Sequence, residues 1–189
     1  PVQLERQVID KAPAADSTAN TPAADDLTTI AIKDDIKMPE VDATAELDAF
    51  VREQKLDGDI IVSNAERDIV ITMKEKVSFI PGSAVILKNS TPVLDKVSDL
   101  IKRHPSSVVE IDGHTDNSPI HSAAYPSNWE LSTARATSVL RYFIGVKGID
   151  PSRFYVKGNA DSRPIAPNDT PLHRSQNRRV EIRIKGKSL

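Results

Sequence analysis

The sequence predicts an α+β fold: a two-layer sandwich whose mixed sheet of about five strands is covered on one face by two or three helices. Three observations predict it. Short β-branched runs with apolar residues at alternate positions recur at 60–63, 69–73, 108–113, 154–158 and 180–184. Helical apolar stripes fall at 41–54, 91–104 and 128–144. Strands and helices alternate only in the middle of the order, so crossovers are confined there and the sheet is mixed.

Residues 1–40 stand apart. They contain no aromatic residue and no Gly, and eight acidic residues face four basic ones. Such a segment buries too little apolar surface to offset its chain entropy, so it reads as a disordered or extended linker with a reach of roughly 130 Å. The run Leu27–Ile32 is its one apolar stretch. Residues 41–55 follow as a linker helix, with Ala43, Leu47, Phe50 and Val51 on one face. The third region, 56–189, holds a core of ordinary domain size.

Within that region, Ile60–Ser63 and Ile69–Met73 form a hairpin around the turn 64–67, and Ile69, Ile71 and Met73 alternate with polar or outward residues. In the next helix Thr91 is the N-cap and Pro92 sits at N1; Val93, Leu94, Val97, Leu100 and Ile101 form its apolar face, and His104-Pro105 ends it. Strand 108–113 completes a β-α-β unit with parallel strands. Ser127 and Glu130 have the spacing of a capping box opening a helix from Asn128 to Ile144, which Gly145 closes. Asp150-Pro151 begins a brief turn, Phe154–Gly158 is a strand, His173–Arg178 a helical turn, and Val180, Ile182 and Ile184 face inward from the last strand.

The chemistry gathers at one strand end. The strand 108–113 ends on a polar cluster, Asp112, His114, Thr115 and Asp116, and the helix from Asn128 carries Arg135 at the edge of its apolar stripe. A cation placed there is partly desolvated and needs a partner. Two readings stand: a plain Asp116–Arg135 ion pair, or two charges facing a cleft that takes the ammonium and the carboxylate of a zwitterionic ligand. Asn128 stacks under Arg135 and offers an amide to ligand or loop. Trp129 falls on the core stripe and reads as packing rather than as a platform for a sugar.

Other classes find little support. The chain has no Cys, no Gly-rich phosphate loop and no G-x-S-x-G elbow, so no catalytic residue and no cofactor is assigned. His114 and Asp116 match no helix-borne metal motif, and His114 at a strand end reads as satisfying a loop carbonyl. Net charge is −2, and the seven Lys and Arg after Asp161 have no aromatic residues interleaved for base stacking, so no nucleic acid is implied. No run of 18 apolar residues spans a membrane and no signal peptide is present. The start at Pro1, without an initiator Met, suggests a fragment of a longer protein.

Thr115-Asp116, then Asn128-x-x-Leu131-Ser132-x-x-Arg135-Ala136, then Asn177-Arg178-Arg179-Val180-Glu181 resembles the OmpA-like peptidoglycan-binding domain, over about Leu56 to Ile184. Phe79-Ile80-Pro81-Gly82-Ser83-Ala84 resembles that family's loop into its first helix. Ser127-Asn128-Trp129-Glu130-Leu131-Ser132 and the long loop before it are similar to the B subunits of bacterial flagellar stators, the MotB/PomB family, and most to its sodium-type branch. One departure is Pro119, where many OmpA-like domains carry Gly.

The resemblance implies that Asp116 and Arg135 hold the diaminopimelate of the wall's stem peptide, with Asn128 and Arg178 beside them. It leaves open whether Arg178 or Arg179 faces the ligand. It further implies a periplasmic anchor domain whose parent carries an inner-membrane helix upstream, pairs as a homodimer, assembles with an A-type stator subunit and fixes the ion-driven unit to the cell wall. Flagellar ring proteins in the periplasm are further implied partners. The alternative it leaves is a static cell-wall tether of an OmpA-like outer-membrane protein or lipoprotein.

Overall fold

A computed structural model describes residues 40–186. The expected linker lies outside the described residues, save for Glu40, and so does Leu27–Ile32. The elements are α1 (Glu40–Glu53), β1 (Ile60–Ala65), β2 (Asp68–Lys74), α2 (Glu75–Ser78), α3 (Thr91–Arg103), β3 (Val109–His114), α4 (Asn128–Arg141), β4 (Phe154–Gly158), α5 (Pro171–Asn177) and β5 (Arg179–Ile184). The five strands form one sheet in the order β1-β2-β5-β3-β4. Only β3 and β4 pair in parallel; the other neighbours are antiparallel.

Register explains the core. Val62, Ile71, Ile182, Ile111 and Val156 lie in one row across all five strands, because each is paired with the next. Since side chains alternate with period two, the whole row faces one side. Val93, Leu94, Val97, Leu100 and Ile101 of α3, and Ala136 and Val139 of α4, close over that face with Phe143 and are fully buried. Leu47 and Val51 dock α1 on the same cluster. The rings of Phe143 and Phe154 stack at 5.9 Å.

The opposite face is charged and locally paired. Arg179 meets Glu181 at 2.7 Å, Lys157 meets Glu110 at 3.2 Å, and Lys185 meets Asp68 at 3.1 Å. In the C-terminal stretch Arg179 is thus paired with an acid of its own strand and Lys185 with one of β2.

Several expectations change. The hairpin turn is only Glu66-Arg67, because pairing continues from Ala65 to Asp68. Strands β2 and β3 run the same way, as a β-α-β crossover requires, but β5 inserts between them, so the last strand of the chain completes the middle of the sheet. Ser90, not Thr91, precedes α3; the Thr91 hydroxyl donates instead to the Lys88 carbonyl at 2.7 Å, continuing a 3-10 turn into the helix. At the other end, the Arg153 guanidinium donates to the Ile101, His104 and Ser107 carbonyls, tying the helix end and the turn after it to the start of β4. Helix α4 passes through Gly145 in a π-turn at Tyr142–Val146, and the residue at positive φ is Gly148. Glycine there takes a left-handed backbone at little steric cost.

Two glycines bring α4 onto the sheet. A Cβ at Gly113 would sit 2.0 Å from the Ser132 carbonyl oxygen, and one at Gly158 would sit 2.0 Å from Thr133 Oγ1. Helix α4 thus approaches these two strands closely at Ser132–Thr133. Its opening turn, with Asn128 and Trp129, overhangs the C-terminal ends of β3 and β4.

Candidate functional site

The C-terminal end of β3 carries Asp116 into a cleft of about 500 Å³ formed with α2, the loop after it, the first turns of α4 and the start of β5. The register creates this meeting. Lys74 pairs with Arg179, so the next residue of one strand lies beside the preceding residue of the other: the Glu75 amide donates to the Arg178 carbonyl at 2.9 Å. Their side chains then face the same cleft.

Four charges alternate along it. Arg178 Nη1 donates to Asp116 Oδ2 at 2.5 Å, and Arg178 Nε donates to Glu75 Oε2 at 2.6 Å. The other oxygen of Glu75 accepts from Arg135 Nη2. Two cations and two anions sum to zero, which offsets the cost of their burial. Arg135 is only 1% exposed and Asp116 5%. Burial lowers the Arg135 pKa and the Glu75 carboxylate opposes that shift. Arg135 also donates through Nε to the Ser83 carbonyl at 3.0 Å and lies 5.4 Å from the Phe79 ring.

Of the two readings of Asp116 and Arg135, the plain ion pair between them is not formed. Each has another partner, and Glu75 and Arg178 stand between them. Sequence reading missed Glu75 because it belongs to no motif and lies 41 positions before Asp116. Its signal was its place directly after the β2 alternation, which only the pairing with β5 makes meaningful. Arg135 sits inside the core layer rather than at its edge, since the close approach at Gly113 and Gly158 carries that face of α4 inward.

The loop after Asp116 is held by short local bonds. Asp116 Oδ1 accepts from the Ser118 amide at 2.8 Å, and Asn128 Nδ2 donates to the carbonyls of Ser118 at 3.0 Å and Asp116 at 3.2 Å. Asn128 therefore serves the loop. Ser127 caps α4 by accepting from the Trp129 amide at 3.2 Å, at N2 instead of the N3 position a capping box uses, and its hydroxyl donates to Glu130 at 2.5 Å.

The Asn-Arg-Arg run divides its labour. Asn177 is buried and holds the 165–168 loop through the Ile165 and Ala166 amides, the Ala166 carbonyl and Asn168. Arg178 faces the cleft. Arg179 turns to the far side of the sheet, to Glu181 and the Asn177 and Arg163 carbonyls. That resolves which arginine lines the cleft.

Two further expectations fail. Trp129 is 52% exposed: it lies one turn before the close approach of α4 to the sheet at Ser132–Thr133, and it is not part of the core cluster. His114 is 3% exposed, yet neither ring nitrogen has a hydrogen-bond partner among the described residues. Burial, with the Arg179 guanidinium nearby, pulls its pKa down to about 4, so the ring is neutral at pH 7. Burial raises Asp112 on the same face. Among the described residues no group of three or more His, Cys, Asp or Glu is gathered to hold a metal ion.

The profile of the OmpA family matches residues 78–178, which spans the whole cleft except Glu75 and Lys76, and the chain belongs to that family. It is 34% identical to motility protein B of Bacillus subtilis over 140 residues, 74% of this chain and 54% of that protein, so the chain spans about half its relative's length. The structure is similar to the cell wall anchor of the T6SS from Pseudomonas aeruginosa, with a TM-score of 0.67 and 33% identity over 75% of this chain and 97% of that one. It is also similar to a putative MotB-like protein from Desulfovibrio vulgaris, with a TM-score of 0.69 and 29% identity over 79% and 92% of the two chains.

Proposed function

We propose that this chain binds peptidoglycan in the cleft of Asp116, Arg178, Glu75 and Arg135 and serves as the periplasmic anchor of a flagellar stator B subunit. The observation that carries the reading is the neutral, alternating charge row in an open cleft. A diaminopimelate side chain ends in an ammonium and a carboxylate on one carbon. The ammonium meets Asp116 and Glu75, and the carboxylate meets Arg178, whose side chain is the most open of the four. Arg135 acts from behind by holding Glu75. Asn128 keeps the Asp116 loop in place rather than touching the ligand. Each added ion pair forms in a partly water-excluded site, where it is worth more than at the surface.

Membership of the OmpA family and similarity to motility protein B support the anchor role. In this reading the parent carries a membrane helix upstream, binds an A-type subunit, and pairs as a homodimer. Similarity to a secretion-system wall anchor supports a second reading, a static tether with the same ligand.

Co-sedimentation with purified sacculi tests binding, and swimming tests the stator role. Wild type sediments with sacculi, Arg178→Ala loses this while staying folded, and the same change in the parent stops swimming. Sacculus binding with no effect on swimming favours the static tether. Sedimentation of Arg178→Ala at the wild-type level refutes the site.

A further inference from the structure

On the other side of the Ser83–Ala84 segment lies a second, shallower groove of about 610 Å³. We propose that it is a subsite for the amino-sugar backbone of the wall polymer; this rests on the reading above, in which the stem peptide fills the charged cleft.

The groove is built for a ring. Its most exposed aromatic surface is the indole of Trp129, which lines it together with the exposed Val85 and the less exposed Tyr125. The rest of its floor is small: Ala134, Thr133, Thr137 and Ser138 along α4. A pyranose has an apolar C–H face and a rim of hydroxyls, so it stacks on an aromatic face while its rim finds polar partners. Here the hydroxyls of α4 and the charges of Glu130 and Arg141 line the edges. A polypeptide helix is a poorer occupant, because a groove that takes an amphipathic helix presents a run of large apolar pockets, and this one offers two aromatic residues, Tyr125 and Trp129, among alanines and hydroxyls.

Position supports the same occupant. The two cavities share a wall: the Ser83 carbonyl accepts from Arg135 on the cleft side, and the Ala84 amide donates to the Tyr125 hydroxyl, at 3.2 Å, on the groove side. Asn128 and Trp129 are consecutive residues lining the cleft and the groove respectively. In peptidoglycan the stem peptide is joined to the amino sugar, so a ligand seated by its peptide places its sugar close by.

Trp129 is the sole tryptophan of the chain, which makes its fluorescence a direct report. The full chain is titrated with two probes: an N-acetylglucosamine tetramer, which has no peptide, and a diaminopimelate stem peptide, which has no sugar. The proposal expects the tetramer to shift and quench the emission in wild type and in Asp116→Asn alike. It expects Trp129→Ala, folded because the ring is exposed, to bind intact sacculi about ten-fold more weakly, the size of one aromatic stacking contact, with Trp129→Tyr restoring most of the loss. Stem-peptide binding remains that of wild type in Trp129→Ala.

No emission change with the tetramer, together with undiminished sacculus binding by Trp129→Ala, overturns the subsite and leaves the charged cleft standing. An emission change that depends on protein concentration and not on sugar assigns the groove to a second copy of the chain, and also overturns it. A tetramer response in a protein whose stem-peptide binding ignores Asp116→Asn keeps the groove as a sugar site and refutes the cleft instead.

Discussion

Glu75 and Arg135 set what each side chain of the cleft does. Arg135 is buried within the core layer and bonded to Glu75, so Arg135→Ala leaves a carboxylate without its cation and creates a void beside Phe79. Breaking one partner of a buried pair costs about 3–5 kcal/mol, which urea denaturation at neutral pH reads directly. Arg178 is partly exposed, so Arg178→Ala should cost about 1–2 kcal/mol of stability while removing most of the affinity for sacculi. Equal stability losses in the two variants would contradict this division. Asp116 and Arg135 stood out in the sequence, because a polar cluster at a strand end and a cation in an apolar stripe both call for partners; Arg178 was marked only by the family motif, with Arg179 as its alternative. The pairing among them was not legible. It depends on β5 entering beside β2, which brings Glu75 to Arg178 across more than a hundred residues. Trp129 misled for a related reason: helical periodicity gives the face a residue shares, and says nothing of where along the helix the sheet ends.

At the scale of elements, the position of α4 depends on two residues without side chains. Gly113 and Gly158 let the helix backbone approach the ends of β3 and β4, and this depth places Arg135 in the core and Asn128 over the Asp116 loop. Gly113→Ala forces a Cβ into the Ser132 carbonyl, so the helix must move outward or the strand must bend. Overpacking of this kind costs about 1–3 kcal/mol. Thermal unfolding should show the loss, and the cleft should weaken with it, since Asn128 and Arg135 ride on the displaced helix. Full stability together with full sacculus binding in Gly113→Ala would mean that α4 does not set the site. The elements themselves were largely readable: α3, α4, β4 and β5 fall within a few residues of the periodic segments. Their order in the sheet was less so, because a strand inserted last between two earlier ones leaves no local mark.

The whole molecule places apolar rows on one face of a sheet and charges on the other, and the charged face makes stability depend on pH. His114 lies there, buried against Arg179, with Glu181 of the same strand and Arg163 of the covering loop also facing it. Its pKa is lowered from 6.5 to about 4. Between these values the unfolded chain binds a proton that the folded chain refuses. Stability is therefore complete above pH 6.5 and falls as the pH drops toward 4, by roughly 2 kcal/mol once solvent screening is discounted. Asp112, raised by burial, acts in the opposite sense: the folded state takes up its proton first, so acid returns part of the loss. Urea titrations from pH 7 to 4.5 on wild type and His114→Leu check the sign. The variant should lose less stability over that range, and a parallel slope in both would contradict the assignment.

The central claim is that the neutral charge row holds a zwitterionic side chain of the wall peptide. Calorimetric titration of the chain with two soluble stem peptides, identical except for diaminopimelate or lysine at the third position, tests it most directly. Lysine keeps the ammonium and lacks the carboxylate beside it. The account predicts binding of the diaminopimelate peptide, loss of about 2–5 kcal/mol of that binding in Asp116→Asn, and little binding of the lysine peptide by either protein. Equal affinity for the two peptides, or an Asp116→Asn variant that binds like wild type, would contradict it.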